Sequence, residues 1–185
     1  MPYDFAILAF CKDVQAHRTF LVSRIQRFVD LATGQPVADV VKYLKETYAR
    51  SPRGATETAL EARHTEAAVL AFLARASGNI TAKERARISG FLYSSVPSDC
   101  SLDDNYLSEK LRDLTPNPRE YRAKLREAAT LPPDRHRALM TAIDDLESAR
   151  SKMDESTAAA FAMARRILTP PAGSAQSSSS DSRTS

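Results

Sequence analysis

Tryptophan is absent from this chain, glycine occurs five times and cysteine twice in 185 residues, and aromatic residues make up 7% of the whole. Each scarcity excludes something. So few glycines argue against an enzyme built on a Gly-rich phosphate-binding loop. Cys11 and Cys100 stand far apart, with no CxxC pair and no histidine at ligand spacing from either. Zinc and redox motifs are therefore unsupported, and neither a metal site nor a cofactor is expected. No apolar run approaches the roughly 18 residues of a membrane helix. The first residues carry no basic segment, and the apolar stretch Phe5 to Cys11 is too short for a secretory signal, so a reduced, cytoplasmic protein with no membrane partner is the expectation. Excess charge is scarce too: 26 Lys plus Arg stand against 23 Asp plus Glu, a net +3, far from the footprint of a dedicated nucleic-acid binder.

What is present is an ordinary globular apolar fraction, 43%, arranged in three zones. Residues 1–35 read as strands, 36–168 as helices, and 169–185 as a Ser-rich tail whose lack of apolar side chains leaves nothing to offset the entropy of ordering. In the first zone Phe5-Ala6-Ile7-Leu8-Ala9-Phe10-Cys11 is a run rich in β-formers, followed by polar Lys12 to Arg18 and a second run, Thr19-Phe20-Leu21-Val22. Phe28-Val29-Asp30-Leu31 then closes on the turn signal Ala32-Thr33-Gly34-Gln35. This predicts an antiparallel β-hairpin with a bent continuation and with His17 in its turn. So small a sheet is marginal alone and is expected to pack on the helices or to pair with another chain.

From Pro36 the apolar spacing becomes helical. Val37, Val40, Val41, Leu44 and Tyr48 form one stripe, ended by Ser51-Pro52-Arg53-Gly54. A helix from about Thr56 to Ala76 holds the most apolar window, Ala67 to Ala74, and is predicted to be central. Thr81 with Glu84, and Asn117 with Pro118 and Glu120, have the spacing of capping boxes. Ser101 reads as the cap of a helix carrying Leu107, Leu111 and Leu114. Leu131-Pro132-Pro133 precedes a stripe of Leu139, Ile143, Leu146 and Ala149, and Asp154 caps a last helix with Ala158, Phe161, Arg165 and Leu168 inward. The expected fold is mainly α: a small N-terminal antiparallel hairpin packed on a bundle of about seven helices. Its divisions fall at 1–50 for the β-unit with a connecting helix, 56–168 for the bundle and 169–185 for a disordered tail.

The pattern of helix, tight turn and capped helix at Leu70 to Leu92 recurs loosely at Ile143 to Arg165, with Ile80 and Met153 in matching places for a hydrophobic staple. Within the first copy, Leu73-Ala74-Arg75-Ala76-Ser77-Gly78-Asn79-Ile80-Thr81-Ala82-Lys83-Glu84 resembles the signature of TerB-like, tellurite-resistance-associated helical domains, over about residues 56–168. The resemblance implies a stress-associated scaffold, and in that family acidic residues of the signature are associated with divalent metal. Here Ser77, Arg150 and Thr157 stand where acids would be, and Glu84 alone cannot hold a hard cation. Glu84 reads as a capping residue.

Leu8-Ala9-Phe10-Cys11, Arg18-Thr19-Phe20, Ser23-Arg24-Ile25, Asp30 and Thr33-Gly34-Gln35-Pro36-Val37 resemble the C-terminal half of a WYL domain, the Sm-like β-barrel module of bacterial regulators, which would make about residues 4–37 a partial Sm-like unit. What this resemblance implies is a ligand-sensing unit that binds a nucleotide or single-stranded nucleic acid through strand arginines, matched here by Arg18 and Arg24. A guanidinium fork suits phosphate, and Phe20 or His17 beside them could stack on a base. The plainer reading makes Arg18 and Arg24 surface strand residues that shield an edge or pair with Asp13 and Asp30. His17, His64 and His136 share no local motif with a nucleophile, and the basic residues at 119–126 and 135–137 are interleaved with acids like a solvated helix face. No catalytic residue is expected. The functional expectation is a non-enzymatic sensing or interaction module, with a protein-binding scaffold as the alternative and a homodimer joined at the open sheet edge.

Overall fold

A computed structural model of the chain describes residues 5–150 and 152–169; beyond Thr169 the expected disordered tail lies outside the described residues. Strand β1 (Ala6–Cys11) pairs antiparallel with β2 (Ala16–Leu21), in a register running from Ala6 opposite Leu21 to Cys11 opposite Ala16. The connecting turn is held by the Gln15 side chain, which donates to the Lys12 carbonyl at 2.7 Å. His17 lies in β2 and not in the turn, because the ladder closes one residue before it. A single 3-10 turn, Val22–Arg24, follows, and Val29 then bridges Pro36 around the tight turn at Gly34, whose φ of 71° suits a residue without a Cβ.

Helix α1 (Val40–Arg50) is capped by Asp39, whose carboxylate accepts the Lys42 N–H at 2.9 Å. The apolar stripe extends back to Val37. That residue instead donates its N–H to the Phe28 carbonyl at 2.9 Å, which holds it in the bridge and delays the helix. Ser51 ends α1 and caps α2 (Pro52–Ala62) at once: its Oγ donates to the Tyr48 carbonyl at 2.6 Å and accepts the Gly54 N–H at 3.2 Å.

The single helix expected over 56–76 is two helices, α2 and α3 (His64–Arg75), broken at Arg63 with φ −120° and ψ 28°. No glycine or proline marks the bend. It forms where Arg135, from a distant part of the chain, donates to both the Ala62 carbonyl and the Glu66 carboxylate at 2.8 Å. The remaining elements are α4 (Ala82–Tyr93), α5 (Asp104–Leu114), α6 (Pro118–Ala128), α7 (Pro133–Ser148) and α8 (Glu155–Leu168), eight helices among the described residues. Both capping boxes form as their spacing predicts. Ser101 is not a cap: Asp103 accepts the Tyr106 N–H at 2.9 Å and takes that role two residues later.

Helix α3 is central, with Ala67 to Ala71, Leu73 and Ala74 all buried and with α4 to α8 packed around it. Phe72 stacks on Tyr121 at 3.9 Å, and the Tyr121 hydroxyl donates to the Ala160 carbonyl at 3.2 Å. Burial pushes that phenol well above the ordinary tyrosine range. The two matching hairpins, α3 with α4 and α7 with α8, lie in one bundle, but their staples differ. Ile80 packs against the core, whereas Met153 remains exposed.

Asp154 caps α8, and the Thr157 backbone N–H, received at 2.7 Å, holds its carboxyl below the usual carboxylate range. A depressed folded pKa contributes stability that is present above the unfolded value and is lost as pH falls through the folded one. Asp154→Asn keeps an acceptor but removes the charge, so it is expected to flatten the acid limb of stability below about pH 4 and to change little at neutral pH. Urea midpoints at acid and neutral pH check this. An acid limb identical to wild type would exclude a titrating cap.

Candidate interaction surface and charged clusters

Residues directly opposite each other on a hairpin share a face. Arg18 opposite Ala9 and Phe20 opposite Ile7 therefore lie on one face, while His17 opposite Phe10 and Thr19 opposite Leu8 lie on the other. The structure thus brings Arg18 and Phe20 together and separates His17 from them; His17 instead meets the Phe10 ring edge-on at 5.5 Å. Arg24 sits past the strand, at the end of the 3-10 turn. All four side chains are exposed, and none lines the clefts described below. Neither arginine makes an ion pair with Asp13 or Asp30 among the described residues; the Asp30 carboxylate accepts the Ala32 N–H at 2.8 Å.

The hairpin leans on α1. Phe5, Ile7 and Val22 face Val41, Leu44 and Tyr48 across a cleft of about 250 Å³, with the Lys45 ammonium 5.2 Å from the Phe5 ring centre. Its outward residues are uncovered: Leu8 is 71% exposed and Phe10 51%. Single exposed apolar residues are ordinary, but two on one face of a two-stranded sheet form a patch. With only β1 and β2 in the sheet, each strand also has one edge without a partner strand among the described residues.

Two buried carboxylates organise the bundle. Glu66, fully buried at the start of α3, is gripped by the Arg135 fork at 2.8 Å through both oxygens and by Arg63 at 3.3 Å. Glu84, in the first turn of α4, accepts the Thr81 N–H at 2.8 Å through one oxygen and pairs with Arg150 at 2.6 Å through the other. Arg150 also donates to the Leu73 and Ala74 carbonyls at 2.8 Å and to Ser77 Oγ at 3.1 Å. Arg135 is therefore no part of a solvated basic face. The neighbouring His136 is tied in as well, its Nε2 lying 2.9 Å from the Leu168 carbonyl. The sequence signal for Glu84, its capping-box spacing, is correct but hides the ion pair.

A third carboxylate, Glu57, receives the Tyr48 hydroxyl at 2.8 Å and the Tyr106 hydroxyl at 3.2 Å. That hydrogen bond to Glu57, followed by burial, raises the Tyr48 phenol above its usual range. Arg53 lies over the Tyr106 ring at 4.2 Å, beside a cleft of about 310 Å³ that includes Leu60, His64 and Lys110. The Tyr48 and Tyr106 hydroxyls are both satisfied by Glu57, and the cleft's lining holds no Ser or Cys nucleophile. Among the described residues no cluster of three or more His, Cys, Asp or Glu could hold a metal ion, and no helix is long and apolar enough to cross a membrane. The fold and its surfaces define a mainly helical bundle carrying an exposed N-terminal β-hairpin. No family model, curated protein or solved structure matches the chain.

Proposed function

We propose that this chain is a non-enzymatic interaction module whose hairpin joins a second copy of itself by strand pairing, with the helical bundle as a rigid base. The observation that carries the reading is the open edge of β1. Its sequence, Ala6-Ile7-Leu8-Ala9-Phe10-Cys11, contains no charge and no proline, the devices that normally protect an edge from strand addition. The Val22 N–H bonds to the Phe5 carbonyl at 2.8 Å, and alternation along the ladder then turns the backbone groups of Ala6, Leu8 and Phe10 outward. Antiparallel self-pairing centred on Leu8 sets Leu8 against Leu8 and, on either side, large against small in Ile7 with Ala9 and Ala6 with Phe10, with no like charges facing. Two marginal hairpins become one four-stranded sheet.

Light scattering of the full chain is expected to give a mass near twice 20.4 kDa at tens of micromolar. Leu8→Lys with Phe10→Lys is expected to weaken the dimer by about tenfold or more, because each copy then brings ammoniums to the pairing line. Retained helical circular dichroism would exclude unfolding as the cause. A wild-type monomer would end this reading, and salt-sensitive oligonucleotide binding lost on Arg18→Ala with Arg24→Ala would favour nucleic-acid recognition by the hairpin instead.

A further inference from the structure

Arg75, Arg85 and Arg112 line a single cleft of about 290 Å³, together with Asn79, Ile80, Ser108 and Leu111. Three separate segments build it: the end of α3 with the turn that follows, the first turns of α4, and the outer half of α5. No carboxylate lines the cleft, and none of its arginines forms an ion pair among the described residues. Other bundle arginines, such as Arg87 and Arg122, also form no ion pair among the described residues, so what distinguishes these three is that they share one cleft. The plain explanation is that cations suit helix C-termini, and it covers Arg75 and Arg112, each in the last turn of its helix. It fails for Arg85. That residue lies one position beyond Glu84, near the positive end of α4, where the helix dipole opposes a cation. It is nonetheless turned inward and half-buried, its guanidinium donating to Ser108 Oγ at 2.8 Å.

We infer that this cleft binds a small phosphate-bearing anion, inorganic phosphate or a phosphomonoester. One N–H of Arg85 is spent on Ser108, which orients the fork and leaves the others for a ligand. Arg75 is steered toward the same place by its longer contact, 3.5 Å, with the Arg112 carbonyl. Three guanidiniums carry more than enough positive charge to neutralise a phosphate dianion, and planar forks match its oxygens in pairs. The Asn79 amide and Ser108 hydroxyl add neutral polar groups, and Ile80 with the buried Leu111 provides an apolar floor for the carbon group of an ester. The site is independent of the hairpin and of its pairing.

Calorimetric titration of the full chain with inorganic phosphate and with phenyl phosphate, against sodium chloride of matched ionic strength, tests this. Binding is expected for at least one probe, with tighter binding of phenyl phosphate identifying an ester and tighter binding of phosphate the free ion. Arg85→Gln and, separately, the exposed Arg112→Gln are each expected to weaken it about tenfold or more, the value of one or two charge-assisted hydrogen bonds. Arg18→Ala is expected to leave it unchanged. Thermal melting without phosphate checks that the variants fold, and Arg112→Gln, being exposed, keeps the test open if Arg85→Gln does not. Absence of binding by both probes, or binding that Arg112→Gln leaves intact, would overturn the assignment.

Discussion

Replacing Gly54 with alanine is expected to prise α1 and the hairpin away from the bundle, at a cost of about 2 to 3 kcal/mol. Helix propensity alone predicts the opposite sign, because alanine is favoured over glycine inside a helix by roughly 1 kcal/mol. Space decides the matter. A Cβ on Gly54 would lie 1.9 Å from the Tyr48 carbonyl oxygen, 2.7 Å from its carbon and 3.1 Å from the Ala49 Cα, all of them backbone atoms that no rotamer change can move. The obstructed carbonyl also accepts the Ser51 N–H at 2.9 Å and its hydroxyl at 2.6 Å, so displacing it loosens the shared cap. Helix α1 has no fully buried residue, and α2 is its main helical neighbour. The cheapest relief is for α1 to swing outward while the core around α3 stays packed. Amide exchange in α1 should therefore rise toward unstructured rates while α3 and α6 keep their protection. An exchange map identical to wild type would show that the clash is absorbed elsewhere.

Those same residues mark where local pattern stops being informative. Ser51-Pro52-Arg53-Gly54 reads as a helix terminator, and it is one, but it is also the N-cap, first turn and contact point of the next helix. The capping boxes at Thr81 and Asn117 were legible because their hydrogen bonds span three residues, and the central helix because its composition is apolar nearly all round. The bend at Arg63 was not, since Arg135 lies 69 residues beyond the Glu66 carboxylate it grips. At the surface, Arg18 and Phe20 share one face of β2 and His17 takes the other, a split hidden by the expectation that His17 lies in the turn, because the turn is shorter than the polar run suggests. The arginine cleft had no such signal. Its residues come from three segments whose spacing in sequence says nothing about their meeting, and only their convergence in space on one cleft without a carboxylate sets them apart.

Arg150→Met is expected to destabilise the bundle by about 3 to 5 kcal/mol, the usual cost of leaving one partner of a buried ion pair behind. Arg150 and Glu84 are 5% and 3% exposed, so neither charge has water to fall back on. The guanidinium does several things at one point. It neutralises Glu84 at the start of α4, satisfies the Leu73 and Ala74 carbonyls at the negative end of α3, and packs 5.5 Å from the Phe161 ring of α8. It thereby ties the second helical hairpin to the turn of the first. Methionine can replace much of the volume but none of the donors, and lysine brings a charge without the planar fork that reaches four acceptors. Glu84→Gln retains an oxygen for the Thr81 cap and removes the charge that Arg150 balances. The double variant should then be less unstable than the two single losses added together, because no uncompensated charge remains buried. Chemical denaturation of the four proteins in this cycle measures the coupling. Additive losses would mean that Arg150 works through the α3 carbonyls alone and that its pairing with Glu84 contributes nothing.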